Sequence, residues 1–230
     1  MPREWKVVAS RMELEDVSGR VLFPSLAQGA WTPFVRFAET VTTGGEREGE
    51  GHSHRHEEVL GYVLEGHVDH EDGAGHRTAL GPGAAVLFTA PEEARHNLVP
   101  RSTARARWLS VVVQCPPTLG APGPRVQVAP GPFPTRAGEG TVERHLVGPG
   151  GPITSSAGFE CTEVEFRTPG RCVCPVGQDR RTVAYVFEGT GSVDGQPLEN
   201  GTGALLEAVA DVALRGEAGT RVLLASAPHG

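Results

Sequence analysis

Lysine, aromatic residues and positively charged runs are scarce in this 230-residue chain. Lys6 is the only lysine, and Phe, Trp and Tyr together make up 6% of the residues. The formal net charge is −7, and no cluster of arginines stands out. Because binding to nucleic-acid phosphates depends on clustered positive charge, direct nucleic-acid binding is disfavoured.

Long apolar runs are also missing. No segment is long and apolar enough to span a bilayer. The opening sequence MPREWKVVASRMELEDVSG lacks the apolar region of a signal peptide. We therefore expect no membrane association and a cytoplasmic location.

Cysteine is infrequent, and the four residues Cys115, Cys161, Cys172 and Cys174 fit reduced thiols. Cys172 and Cys174 are too close in sequence for an ordinary structural disulfide. As a Cys-x-Cys pair they could form half of a metal site. The sequence shows no partner pair, so structural thiols are the simpler interpretation.

Glycine and proline are abundant instead, with 31 and 19 residues. This composition disfavours long helices and is typical of short strands joined by many turns. The chain also repeats itself, because YVLEG at 62–66 recurs as YVFEG at 185–189, and each copy precedes a polar turn, a Gly-containing corner and a β-rich tail. Alternating apolar residues bounded by turn residues predict strands. We therefore predict two similar antiparallel β barrels packed together.

The boundary between the two barrels is predicted from the position of a proline-rich segment. Seven of the 19 prolines lie between Pro116 and Pro134, where they remove ladder donors and fix φ. We predict an N-terminal barrel at 1–118, a linker at 119–140 and a C-terminal barrel at 141–230. The segment VQVA within the linker could still form a short strand.

Three of the nine histidines crowd into the stretch GHSHRHEE at 51–58. Residues two apart on a strand share a face, so His52 and His54 point the same way, which in a small barrel is inward. His96 lies beyond the next Gly-containing corner, where an antiparallel strand returns to the same mouth. Three neutral imidazoles there could bind a divalent metal. The alternative interpretation is an exposed polar loop whose histidines bind nothing.

These residues resemble a known family. HSHR at 52–55, Glu58, YVLEG at 62–66 and the returning His96 follow the cupin pattern and are most similar to the pirins, the bicupin relatives of quercetin 2,3-dioxygenase. The resemblance covers most of the chain and is weaker in the second half. It implies an all-β bicupin of two double-stranded β-helix barrels, similar to jelly rolls. The three histidines would hold one metal ion in the N-terminal barrel.

The carboxylate ligand of the family is missing from its usual places. Pirins carry a glutamate two residues after the third histidine, where this chain has Leu98. Other cupins use a position that is Val59 here. Glu58 has the same even parity as the first two histidines, and a regular strand would place it on their face. Glu58, His56 or water could complete the site.

The second half lacks the histidine pattern. Counting along the repeat places Pro175 and Gly177 at the His-x-His positions, Arg181 at the glutamate position and Leu214 at the third histidine. We therefore predict that the C-terminal barrel carries no metal ligands, as is usual in the family.

The resemblance also implies a chemistry. Three imidazoles on a divalent ion leave positions for a chelating substrate or O₂. We expect an oxidoreductase of the quercetin 2,3-dioxygenase type, acting on a small aromatic substrate such as the flavonol quercetin. Iron is the expected ion, with nickel, manganese, copper, zinc and cobalt as alternatives. Glu58, or its neighbour Glu57, would be the general base.

Two other functions stay open. The chain could be a non-enzymatic pirin-like regulator that responds to metal or redox state and acts through a protein partner. Cys115 and the Cys172/Cys174 pair would then be the redox-sensitive groups. Isomerase or sugar-binding activity, found in other cupins, ranks below both because no set of stacking aromatic residues is visible.

Overall fold

The computed structural model describes residues 6–8, 11–14, 17–23, 31–42, 51–101, 104–116 and 123–229. Within these ranges the regular elements are strands, and no helix long and apolar enough to cross a membrane is found. The chain divides into two compact units, Ser10–Pro132 and Met1–Ala9 together with Phe133–Gly230. We call them the N-terminal unit and the C-terminal unit.

The N-terminal unit is built from strands β2 to β12. Their bounds are β2 (Arg11–Leu14), β3 (Val17–Phe23), β4 (Phe34–Thr42), β5 (His52–His54), β6 (Glu57–Glu65), β7 (Val68–Asp72), β8 (Arg77–Leu80), β9 (Ala85–Ala90), β10 (Ala94–Pro100), β11 (Ala106–Gln114) and β12 (Arg125–Ala129). The larger sheet has the order β12-β9-β6-β11-β4-β3-β2, and the smaller sheet has the order β5-β10-β7-β8. Neighbouring strands in both sheets are antiparallel.

The C-terminal unit is built from β1 and from β13 to β22. Their bounds are β1 (Lys6–Val8), β13 (Thr135–Ala137), β14 (Thr141–Val147), β15 (Glu160–Phe166), β16 (Gly170–Pro175), β17 (Arg180–Glu188), β18 (Gly191–Val193), β19 (Gln196–Leu198), β20 (Thr202–Glu207), β21 (Asp211–Gly216) and β22 (Arg221–Pro228). The larger sheet has the order β1-β20-β17-β22-β15-β14-β13, and the smaller sheet has the order β16-β21-β18-β19.

The two units repeat one topology. Matching β2–β11 to β13–β22 in chain order reproduces both sheet orders. Tyr62 on β6 and Tyr185 on β17, from the two copies of the repeated motif, are both buried at equivalent places. The prediction of an all-β bicupin is confirmed.

The segment predicted as a linker, 119–140, contributes a strand to each unit. β12 pairs with β9 in the N-terminal unit, and β13 pairs with β14 in the C-terminal unit. Pro124 and Pro130 flank β12 rather than interrupt it, so the strand keeps its ladder donors. The predicted boundary after residue 118 lies outside the described residues, and the two units meet along the chain at Pro132.

Each unit encloses its own apolar core between its larger and smaller sheets. In the N-terminal unit one cluster joins Val63 and Trp108 of the larger sheet to Val68 and Leu80 of the smaller sheet. In the C-terminal unit a larger cluster includes Phe166 and continues across both sheets. Burying this apolar surface between two sheets is the main force that holds each barrel together.

A buried carboxylate ties three strands of the C-terminal unit together. Glu163 on β15 is 0% exposed. Arg221 on β22 donates from Nε to Oε1 at 2.9 Å and from Nη2 to Oε2 at 3.0 Å. Arg144 on β14 donates from Nη1 to Oε1 at 2.7 Å. Removing one partner of a buried ion pair costs far more than breaking an exposed pair, because the remaining charge stays out of water.

We predict that Arg221→Met lowers the free energy of unfolding by about 3 kcal/mol, because Glu163 loses one of these two cations. Arg167→Met is the matched control. Arg167 is exposed and its Nε lies 3.9 Å from Glu165 Oε1, so its removal should cost less than about 1 kcal/mol. Urea unfolding followed by circular dichroism measures both values, and equal effects would contradict the role given to Glu163.

Candidate metal centre

Strand pairing brings the three predicted histidines together. β5 pairs antiparallel with β10, and His52 lies directly opposite His96 in that register. Residues opposite each other on antiparallel strands point to the same face, and so do residues two apart on one strand. His54 therefore joins the pair. The His-x-His stretch is part of a sheet rather than a free loop.

The three rings form a nearly equilateral triangle. Their centroids are 4.7 Å apart for His52 and His54, 4.9 Å for His52 and His96, and 4.9 Å for His54 and His96. One ring nitrogen from each lies within 4.8 Å of the other two. Among the described residues, no other set of three or more His, Cys, Asp or Glu side chains has this spacing.

Two of the rings already have one nitrogen held. His54 Nδ1 lies 2.5 Å from Glu57 Oε2, and His96 Nδ1 lies 3.2 Å from His70 Nε2. The Nε2 atoms of His54 and His96 are buried without a hydrogen-bond partner. An unpaired buried polar group costs about 1–3 kcal/mol, and a metal-ligating histidine usually has its other nitrogen fixed in this way. The residues present therefore fit a metal ion bound through Nε2.

The electrostatics of the centre favour neutral imidazoles, the form that binds metals. Burial, together with the neighbouring His54, His52 and His70, lowers the pKa of His96 to about 2. Partial burial and the nearby His54 and Arg36 lower the pKa of His52. Burial also lowers the pKa of His70. At neutral pH His52 and His96 can therefore coordinate an ion without first losing a proton.

The inner wall beside the histidines is apolar. The ring of Phe88 stacks on His96, with centroids 4.4 Å apart and planes 8° apart. Val59 packs in the same cluster as Phe88, and Leu98 packs against the cluster that contains Val63. Both positions at which the resemblance leads us to expect a carboxylate ligand are thus filled by apolar side chains.

A turn separates the histidine strand from β6. His56 has φ +56°, a left-handed conformation that is uncommon for a residue other than glycine. The turn interrupts the alternation of side chains between the two faces of the strand. Even-numbered residues of β6 therefore do not continue the face that His52 and His54 share. Glu57 is the carboxylate that contacts His54. Glu58 is fully buried and accepts a hydrogen bond from Thr89 Oγ1 at 3.2 Å.

Two supporting residues were not singled out from the sequence in these roles. Glu57 was considered only as a substitute base, although it immediately precedes Glu58. His70 had no role, because its place is visible only in the register of β7 and β10, where it lies opposite Leu98. The assignment of Glu58 as ligand or base stays a prediction, and so does that of His56, whose Nδ1 is buried without a hydrogen bond.

Strand register also locates the corresponding positions in the C-terminal unit. β21 pairs with β16 and β18 as β10 pairs with β5 and β7. The three histidine positions are taken, in chain order, by Cys174, Val176 and Val212. Counting along the sequence had pointed to Pro175, Gly177 and Leu214, because the connecting turns differ in length between the units. The residues found there belong to the apolar core.

Comparisons of the sequence agree with the fold. The model of the family described as "Cupin domain" matches residues 39–112. A protein of Pseudomonas aeruginosa named "Putative quercetin 2,3-dioxygenase PA3240" is 30% identical over 198 residues, and a "Pirin-like protein" of Caulobacter vibrioides is 28% identical over 183 residues. Each match covers 75% of this chain and 66% of the relative. The chain thus spans slightly under two thirds of the length of these relatives.

Solved structures extend the likeness through both units. GK1651 from Geobacillus kaustophilus has a TM-score of 0.88 at 20% identity, covering 98% of this chain and 96% of that chain. The bacterial pirin YhhW from Escherichia coli, in complex with nickel(II), has a TM-score of 0.81 at 17% identity, covering 99% of this chain and 100% of that chain. At these identities the likeness concerns the fold.

Glu57 is predicted to support the centre by orienting His54. Glu57→Gln should weaken divalent-metal affinity by about 10- to 100-fold, the usual effect of removing a group that fixes a ligating histidine. Glu58→Gln is the matched control, because the same change one residue later falls on the other face of β6. Titration with Ni²⁺ and Mn²⁺ measures both affinities. A loss with Glu58→Gln alone would instead identify Glu58 as the ligand.

Leu98 is predicted to limit metal affinity. Leu98→Glu puts a carboxylate two residues after His96 on the same face of β10, where it adds charge and an oxygen ligand. Binding of Fe²⁺, Ni²⁺ and Mn²⁺ should tighten. Leu98→Gln, similar in size but uncharged, should not reproduce the gain. Unchanged affinity in the Glu variant would mean that another group already fills the fourth position.

Proposed function

Since the chain belongs to the pirin-like bicupins of the cupin superfamily, we propose that it is a metal-dependent oxidoreductase of the quercetin 2,3-dioxygenase type. His52, His54 and His96 would hold one divalent transition-metal ion, and a flavonol would be the substrate. The name of the Pseudomonas aeruginosa relative and the nickel(II) complex of YhhW support this choice.

The unpaired Nε2 atoms of His54 and His96 carry the proposal. A barrel that needed only packing at this place would bury apolar groups. The C-terminal unit does so, with Val176 and Val212 at the corresponding positions. The N-terminal unit instead keeps two buried ring nitrogens without a hydrogen-bond partner beside a third imidazole, an arrangement that a bound cation would satisfy.

A bound divalent ion would supply Lewis acidity and open positions for a chelating substrate and O₂. Glu57 and His70 fix the rings of His54 and His96 through their Nδ1 atoms, so the Nε2 lone pairs keep one direction. The apolar wall that includes Phe88 would exclude water and accept a planar aromatic ring.

The proton of the flavonol 3-hydroxyl requires a base. Glu58 is the base predicted from the sequence, but it is fully buried against Thr89 on the face of β6 opposite to that of Glu57. Glu57 is the alternative and is the better placed of the two, because it lies against His54. Either carboxylate would replace the glutamate whose position Leu98 occupies.

The apolar residues at both usual carboxylate positions favour a second candidate function. With Leu98 and Val59 beside the histidines, the site could bind a metal without supporting oxygenation. The chain would then be a pirin-like regulator that responds to metal or redox state and acts through a protein partner.

Oxygen uptake distinguishes the two functions. Protein loaded with Fe²⁺, Ni²⁺ or Mn²⁺ is mixed with quercetin, and O₂ consumption is followed. We predict flavonol-dependent uptake by at least one metal form and its loss in His96→Ala. His67→Ala, which removes an exposed histidine outside the centre, should keep the activity.

Two results would count against the enzyme. Metal bound through the three histidines without uptake in any metal form would favour the regulator. Failure to bind any divalent ion, together with no uptake, would contradict the enzyme and favour the redox-responsive form of the regulator.

A further inference from the structure

A second group of metal-ligating side chains lies in the C-terminal unit. Cys172 and Cys174 are two residues apart on β16, and both pack with the apolar core. Their Sγ atoms are 4.0 Å apart. Cys174 is buried, and Cys172 is half-buried. By strand register Cys174 takes the place that His52 has in the N-terminal unit.

A disulfide fits this pair poorly. Residues two apart on a strand have Cα atoms about 6.6 Å apart, near the upper limit for a disulfide, and the sulfurs would have to approach to about 2.05 Å. The observed 4.0 Å suits two sulfurs that share an ion. With metal–sulfur bonds of about 2.3 Å, the angle at that ion would be about 120°.

We propose that Cys172 and Cys174 bind one copper(I) ion through their two sulfurs. Thiolates are soft ligands, and the metals that they favour are Cu(I), zinc and the iron of Fe–S clusters. Each thiol releases its proton to solvent, so one Cu⁺ replaces two protons and the complex carries one negative charge. The half-buried Cys172 gives the ion access from solvent, and the angle leaves room for a third ligand from solution.

The number of donors argues against zinc. Zn²⁺ in structural sites takes four ligands. Within the ranges that the structure describes, no third Cys, His, Asp or Glu joins the two cysteines in a potential metal-binding group. The residues opposite them on β21 are Leu214 and Val212, which offer no side-chain donor. A soft ion of low coordination number therefore suits the pair better.

The two thiols of the pair differ in acidity. A hydrogen bond with Cys174 lowers the pKa of Cys172, against the opposing effect of burial. The hydrogen bond with Cys172, together with burial, raises the pKa of Cys174 well above its ordinary value. For both cysteines the raising effect of Glu143 is larger than the lowering effect of Arg136. Arg136 Nη2 lies 3.0 Å from Glu143 Oε1. Cys172 would be the first thiol to ionise, and the bound ion itself would have to displace the proton of Cys174.

An anaerobic titration of the full chain with Cu(I), held by the chromophoric chelator bicinchoninate, tests the proposal. We expect one Cu(I) ion that remains bound in the double variant His52→Ala/His96→Ala. Cys172→Ala and Cys174→Ala should each lose it. X-ray absorption of the loaded protein should show sulfur at about 2.3 Å from copper.

Cys115→Ala and Cys161→Ala are the matched controls, because each removes a buried thiol outside the pair. Both should retain the copper. Circular dichroism checks that each variant is folded, and X-ray absorption of the wild-type protein gives a readout that needs no variant. The proposal is overturned if copper stays in Cys172→Ala and leaves with the histidine variant, or if the absorption spectrum shows only nitrogen or oxygen ligands.

Discussion

The N-terminal unit buries two imidazole nitrogens, Nε2 of His54 and Nε2 of His96, without a hydrogen-bond partner. The candidate metal centre depends on these two atoms. The pairing of β5 with β10 places His96 opposite His52, with their ring centroids 4.9 Å apart. Glu57 and His70 contact the Nδ1 atoms of His54 and His96, and the Nε2 atoms of these two rings are buried without a hydrogen-bond partner. Buried ring nitrogens of this kind are costly unless a cation or a hydrogen-bond partner satisfies them. A metal centre is the simplest structure that makes the arrangement favourable.

The C-terminal unit shows that the barrel can form without burying unpaired imidazole nitrogens. The same sheet orders and the same register are present, yet Val176 and Val212 fill the places of two histidines. The interior becomes a continuous apolar cluster. Cys174 is the exception, a thiol at the place of the remaining histidine, with Cys172 beside it. One fold thus carries two different donor sets, imidazoles in one unit and thiols in the other.

The sequence was sufficient to predict those features of the fold and of the candidate site that depend on one local pattern. The repeated YVLEG and YVFEG segments predicted two β units, and His52, His54 and His96 were predicted from alternation and a returning strand. Prediction from the sequence was inaccurate where backbone conformation or strand pairing determined the position of a residue. The positive φ of His56 interrupts the alternation counted from His54, and Glu57 is the carboxylate that contacts His54. The role of Glu58 as ligand or base stays a prediction. The turns differ in length between the units, which moved the counted equivalents of the histidines by one or two residues.

The most direct test of the histidine centre is anomalous diffraction at the nickel absorption edge, from crystals grown with Ni²⁺. The account predicts one peak in the N-terminal unit within about 2.1 Å of a ring nitrogen from each of His52, His54 and His96. For His54 and His96 that nitrogen should be Nε2. A peak elsewhere with none at these nitrogens, or histidine rings turned away from one another, would contradict it.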